Sequence, residues 1–454
     1  MGYRIKRLQD FARGLRGARE LAERERWPRE RLERFQQERL AELTRYAVEH
    51  SPFWRERLPS GRVELSELPV LTKTELMDRF DELVTDRRLR RDELLDHLSR
   101  VDDDVLYLGE YRPMTSSGSS GRKAVFVYDR AAWRGTLTMF LRRSEWVGLR
   151  PAVPRSRVAL VAGGAATHMS RRGARSLDVG VHRVMSLAAT QPLAELVDRL
   201  NAFRPDFLNA YPSAAGPLAD EQLAGRLRLR LKGMTTNSEP LTSALRGRLE
   251  HAFGVAPTNF YATTEGLYGH ECERGSMHLF DDMCIVENVD DDGRAVPPGE
   301  VGSRLLVTNL FNRVQPLIRF EITDLVAVDP EPCPCGRSLM RLRSLEGRAE
   351  DVLRIGDVVV HPLQFGIVTA DPDVREFQVV QEGRALRLRV ALRNGSEGAE
   401  ERLGERLRGR LAELGVAQPE VSVERVEALE RSPGGKLRMV VAEPPSAPAA
   451  ERVP

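Results

Sequence analysis

From about residue 105 the chain alternates short β-rich runs with helical runs, and this rhythm restricts the fold more than any other feature. Runs 124–128, 157–161, 206–211, 231–236 and 258–261 read as strands, and 131–145, 193–203, 213–223 and 242–253 as the helices between them. Strands separated by helices return in the same direction, so the expected fold class is α/β, with layers around a largely parallel sheet. Residues 1–104 read as mainly helical: apolar residues recur three and four apart among Arg and Glu, the first helical stretch is expected to end at Pro52, and Thr72 is an expected N-cap. Residues 283–346 read as β-rich, with turns at Asp291-Asp292-Gly293 and Pro297-Pro298-Gly299. After Gly347 the texture changes to strands at 352–355, 358–360, 376–380 and 386–391 and a charged helix at 400–414. The expected division is a large domain 1–346, a small α+β domain 347–443, and a Pro/Ala-rich disordered tail 444–454.

A chain of 454 residues exceeds one simple core. Its 69 Lys+Arg nearly balance 67 Asp+Glu, so no global field draws in nucleic acid. No apolar run reaches the roughly 18–20 residues that span a bilayer, and the N-terminal residues lack a signal-peptide pattern. Four cysteines are too few for a secreted disulfide scaffold. The expectation is a cytoplasmic protein with neither nucleic-acid nor membrane partners.

Several segments carry chemistry-bearing side chains. Thr115-Ser116-Ser117-Gly118-Ser119-Ser120-Gly121 runs through Arg122-Lys123 into the strand 124–128. Its small residues and hydroxyls suit a phosphate cradle; the same composition suits a flexible linker. Thr264 and Glu265 follow a strand, where open α/β sheets place ligands, and a carboxylate there can hold Mg²⁺. A surface turn is the alternative. Ser238-Glu239-Pro240 either lines a nucleotide base or simply starts a helix. Asp324 can accept ribose hydroxyls, Arg348 lies beside the flexible Gly347, and Lys436 stands on the Gly-rich turn Ser432-Pro433-Gly434-Gly435. Cys272, His278, Cys333 and Cys335 can form a tetrahedral zinc site, or be four unconnected residues. Cys284, among apolar neighbours, reads as core.

In order and spacing these segments resemble the adenylate-forming superfamily. The phrases Arg45-Tyr46-Ala47-Val48-Glu49-His50-Ser51-Pro52-Phe53 and Leu68-Pro69-Val70-Leu71-Thr72-Lys73, with the Ser116–Gly121 form of the loop, resemble its phenylacetate–CoA ligase-like branch. The resemblance covers roughly residues 35–441. It implies an ATP-dependent, AMP-forming carboxylate ligase on this fold, with a mobile C-terminal domain and a carboxylic acid, ATP and coenzyme A as substrates. It further implies that Thr115, Ser116, Ser117, Gly118, Ser119, Ser120 and Gly121 hold the terminal phosphates. Ser238, Glu239 and Pro240 would line the adenine and Tyr261 stack on it. Thr264 would touch the α-phosphate, Glu265 bind Mg²⁺, and Asp324 with Arg348 hold the ribose. Lys436 would bridge carboxylate and α-phosphate, Glu350 would be the hinge, and Gly163, Gly164, His168 and Tyr211 would border the acyl pocket. The branch implies an aryl or arylacetic acid, structural Zn²⁺ at Cys272, His278, Cys333 and Cys335, and a homodimer. Thr323 stands where Gly is frequent, and Asp357 stands in place of the Gly that thioester-forming members carry after Arg. The remaining alternatives are acyl transfer to an amine or a carrier-protein thiol, and a non-catalytic nucleotide-binding scaffold.

Overall fold

The computed structural model describes residues 3–58, 64–116, 124–165, 167–393, 396–432 and 435–442. They form two compact units: Met1–Leu345 with Pro433–Lys436, and Glu346–Ser432 with Leu437–Pro454. The expected tail lies outside the described residues.

The first unit opens with helices α1 (Tyr3–Arg24) and α2 (Arg29–His50). The helical stretch ends at His50, with Ser51 extended, just before Pro52 as expected, and Pro52 then begins a separate short helix, Pro52–Arg57. Ser51 caps that helix by accepting from the Trp54 N–H at 3.3 Å. Proline fits the first helical position because its missing N–H would have no intrahelical partner there. Thr72 caps the helix Lys73–Asp78, its hydroxyl accepting from Glu75 N at 3.2 Å.

The architecture rests on a nine-stranded sheet. Its strands are β1 (Arg157–Ala162), β2 (Arg183–Ala188), β3 (Phe207–Ala210), β4 (Gly233–Asn237), β5 (Pro257–Ala262), β6 (Leu267–Glu271), β7 (Met277–Leu279), β8 (Asp324–Asp329) and β9 (Arg341–Arg348). The order across the sheet is β8-β9-β7-β6-β5-β4-β3-β1-β2. From β2 to β5 all neighbours are parallel; from β5 through β6 and β7 to β9 they are antiparallel. Sequence patterning missed β2 and the helix before it. β2 is an edge strand with only Leu187 buried, so it lacks the apolar run that marks a central strand.

Helix α3 (Arg130–Trp146), capped by Asp129 accepting from Ala132 N at 2.7 Å, packs beside this sheet, and α4 (Met169–Leu177) joins β1 to β2. Leu160, Val161, Leu208, Met234 and Leu249 are among the buried side chains of one sheet core. A three-stranded antiparallel sheet, Cys284–Val289 with Arg304–Asn309 and Phe320–Ile322, accounts for part of the expected β-rich region. The second unit has a four-stranded sheet of Val421–Arg425, Ala385–Leu392, Val374–Glu382 and Val440–Val441, in that order. Its helix Ala399–Glu413 buries Leu403, Leu407 and Leu411. No helix among the described residues is long and apolar enough to cross a membrane.

Candidate active site and a cysteine–histidine centre

Parallel strands end on one side of a sheet, and that side collects the loops able to meet a ligand. Here Gly163 follows β1, Tyr211 follows β3, Ser238 follows β4, and Thr263, Thr264 and Glu265 form the turn after β5. Tyr211, Ser238, Thr263, Thr264, His168 and Lys436 line one cavity of about 140 Å³. Lys436 belongs to the short segment that packs with the first unit, and its Nζ lies 5.9 Å from the Tyr211 ring centre. Gly163 is fixed by close approach: a Cβ there would fall 2.1 Å from His168 Nδ1 and 3.1 Å from the Tyr211 hydroxyl. A Cβ at Gly164 would fall 2.9 Å from that of Ala188.

The β5–β6 turn sits over buried tyrosines. Tyr128 donates its hydroxyl to the Thr264 carbonyl at 3.0 Å, and Tyr261 donates to Asp324 Oδ2 at 2.6 Å. Burial, the largest cause, holds Tyr128, Tyr261 and Tyr268 well above the usual phenol range, followed by the Glu265 carboxylate at Tyr128 and Tyr268 and by Asp324 at Tyr261. Thr115 ends the strand Arg112–Thr115, which pairs antiparallel with Val125–Tyr128. Ser116 continues the pairing: its N–H donates to the Ala124 carbonyl at 3.0 Å, and its hydroxyl accepts from Ala124 N at 3.1 Å. Ser117, Gly118, Ser119, Ser120 and Gly121 lie outside the described residues.

Ser238 occupies left-handed backbone at φ 67°, a conformation disfavoured for a side-chain-bearing residue. Glu239 accepts from Ser213 N at 2.8 Å and Ser213 Oγ at 2.9 Å, so its carboxylate caps the helix Pro212–Leu223 just before Pro240. Behind Ser238 runs a polar chain that the sequence did not reveal. Ser238 Oγ donates to Asn237 Oδ1 at 2.9 Å, Asn237 Nδ2 to Asn209 Oδ1 at 2.6 Å, and Asn209 Nδ2 to Thr235 Oγ1 at 2.6 Å. Arg143 of α3 ends the chain, donating to Thr235 Oγ1 at 3.1 Å. Only the arrangement of α3 on the sheet makes Arg143 a cavity residue. Arg348 and Glu350 belong to the second unit, 3.5 Å apart.

A second cluster gathers the other reactive side chains. The ligand atoms of Cys272, His278, Cys333 and Cys335 lie within 4.8 Å of one another. Cys272 Sγ is 3.9 Å from Cys333 Sγ, and Cys335 Sγ is 3.3 Å from His278 Nε2. Bonds of about 2.3 Å to sulfur and 2.0 Å to nitrogen give tetrahedral edges of roughly 3.8 and 3.5 Å, so the donor set fits zinc. His278 Nδ1 donates to the Leu339 carbonyl at 3.2 Å, leaving the Nε2 lone pair toward the cysteines. Cys284 stands apart, buried, its thiol donating to the Phe280 carbonyl at 3.3 Å.

No family model matches the chain. It is 29% identical over 376 residues to a phenylacetate–coenzyme A ligase of Thermus thermophilus, covering 78% of this chain and 79% of that protein. A phenylacetate–coenzyme A ligase of Aromatoleum evansii is 25% identical over 356 residues, 73% of this chain and 74% of the other. A crystal structure of a 2-hydroxyisobutyryl-CoA ligase in complex with R3-HIB-AMP superposes with a TM-score of 0.74, at 22% identity, over 92% of this chain and 91% of that one. The fold is therefore that of the adenylate-forming CoA ligases. By sequence the chain is similar to phenylacetate–CoA ligases over about three quarters of its length.

Proposed function

We propose that the protein is an ATP-dependent, AMP-forming ligase joining a carboxylic acid, of the aryl or arylacetic class, to coenzyme A. The observation that carries this reading is one cavity bordered by both the Thr263–Thr264 turn and the Lys436 ammonium, in a chain related to phenylacetate–CoA ligases. In the first half-reaction a carboxylate oxygen attacks the α-phosphorus of ATP; the bond to the β-phosphate oxygen breaks and pyrophosphate leaves. In the second, the coenzyme A thiol loses its proton to solvent or base and attacks the acyl carbon, and AMP leaves as a phosphate monoester.

Two anions must meet in the first step, so positioned cationic charge dominates catalysis. Lys436 supplies an ammonium between carboxylate and α-phosphate. Thr264 donates a hydroxyl to the α-phosphate, and the Thr115–Gly121 loop receives the terminal phosphates. Asp324, oriented by Tyr261, accepts from the ribose hydroxyls, with Arg348 assisting; Ser238 to Pro240 and the Tyr261 ring border the adenine. Glu265 offers a hard carboxylate oxygen for Mg²⁺, which when bound neutralises phosphate charge. Glu350 lies where the second domain would turn between the half-reactions. Cys272, His278, Cys333 and Cys335 would hold a structural zinc, clamping the β6–β7 connection to the loop at 333–335.

ATP–pyrophosphate exchange across a panel of carboxylic acids tests the reading. Exchange with an aryl or arylacetic acid is expected, followed by coenzyme A-dependent AMP release. Lys436→Ala is expected to lower exchange on the order of 10²–10³-fold. Absence of exchange with every acid would overturn the ligase assignment in favour of a nucleotide-binding scaffold.

A further inference from the structure

Two consecutive arginines on α3 have opposite fates. Arg142 is fully buried and grips both carboxylate oxygens of Asp282, at 2.9 Å each. Arg143, turned about 100° around the helix, lines the cavity instead. It makes one hydrogen bond, to Thr235 Oγ1, and its guanidinium carbon lies 4.9 Å from the Phe260 ring centre. Its Nε is buried with no hydrogen-bond partner, and no carboxylate among the described residues pairs with it. His270 on β6 is held well below the usual imidazole range by burial first and then by Arg143, so it supplies no counter-charge.

His182, between α4 and β2, also borders the cavity and has a buried Nδ1 without a partner. The other wall residues are largely apolar, among them Phe140, Val158, Leu160 and Leu177. A partly buried guanidinium with a buried, unpartnered Nε and no counter-charge is unfavourable unless a ligand completes it. Thr235, where Arg143 is tied, lies two residues before Asn237 on β4, roughly 6.6 Å below the strand end where the reacting carboxylate belongs. An aromatic ring or a short methylene chain spans that depth. The cavity, about 140 Å³, is close to the roughly 150 Å³ that admits benzene.

Resting on the ligase reading above, we propose that Arg143 is a specificity residue. The cavity takes a carboxylic acid carrying a second acceptor oxygen at the end remote from the reacting carboxylate, and the Arg143 guanidinium binds that oxygen. A second carboxylate is the strongest partner because it supplies the missing counter-charge; a hydroxyl or carbonyl oxygen supplies the hydrogen bond alone.

Exchange is measured with phenylacetate, para-hydroxyphenylacetate and para-carboxyphenylacetate, and with hexanoate against adipate. The wild type is expected to favour an acceptor-bearing acid over its parent on the order of 10- to 100-fold in kcat/KM. Arg143→Met is expected to abolish that ratio and Arg143→Lys to retain part of it. Preference for the carboxylate arm identifies an anionic partner, and preference for the hydroxyl arm a neutral one. Wild-type preference for the parent acids, or a ratio unmoved in Arg143→Met, overturns the inference while leaving the ligase reading standing. No exchange with any acid removes the ligase reading itself, and this inference with it. Should Arg143→Met fail to fold, the wild-type ratios and Arg143→Lys still decide.

Discussion

Single side chains set the chemistry of this cavity. Gly163 is a steric requirement, because any Cβ would strike His168 and crowd Tyr211. Gly163→Ala is expected to raise KM for the acid at least several-fold while thermal melting stays near that of the wild type, since the displaced imidazole borders a cavity rather than a packed core. Steady-state kinetics alongside a melt check this. Asp281 gives a pH-dependent case. It accepts from Arg29 and, at 3.2 Å, from Met340 N. Burial pushes its carboxyl up to about 6, against the opposing pull of Arg29, from an ordinary value of 3.8. Between those values the folded state holds more protons than the unfolded one, so this contribution to stability falls as pH rises through that window. Asp281→Asn removes the dependence. The Tm of wild type minus that of the variant is expected to grow more negative from about pH 4 to pH 6.5; a difference constant with pH would refute the argument.

At the scale of elements, close contact is what small residues permit. α1 lies against α3 through Gly14 and Gly17: a Cβ at Gly17 would fall 2.8 Å from Thr138 Cγ2, and one at Gly14 2.9 Å from Leu141 Cδ1. The leucine can rotate aside, whereas β-branched Thr138 is stiff. Gly17→Val is therefore expected to destabilise the protein by roughly 1–3 kcal/mol, read as a lower denaturant midpoint. The cysteine–histidine centre joins elements far apart in sequence, and Arg337 beside it pairs with Glu25 at 3.0 Å and Glu273 at 2.9 Å. Metal analysis is expected to find one zinc per chain. Cys333→Ser is expected to lose that zinc and melt at lower temperature, and a metal-free wild type with unchanged melting would reject the centre.

The whole molecule carries separate cores. Leu353, Phe365, Val379, Leu388, Leu403 and Leu407 belong to one cluster drawn entirely from residues 353–440. About a hundred residues around a core of their own suffice for independent folding. An excised segment 346–454 is therefore expected to unfold cooperatively in urea, monitored by circular dichroism. A broad, non-cooperative transition would show that this unit depends on the other.

The sequence by itself determined the alternation of strands and helices and the order of the strand-end motifs, because side-chain period and turn chemistry are local. Ser238 and Thr264 were legible for that reason, each following a strand that patterning can find, whereas Tyr211 was reached only through the family resemblance. Pro52 marked the end of the preceding helix, whereas the new helix it begins was not legible, because only the Ser51 cap reveals that start. Edge strand β2 was missed because it buries too little to leave a pattern. Only the tertiary structure decided that Arg142 meets Asp282 while Arg143 faces a cavity, and that the Cys272–His278 and Cys333–Cys335 segments converge. Those outcomes depend on which helix face meets which strand, a long-range packing choice that no local window of the chain encodes.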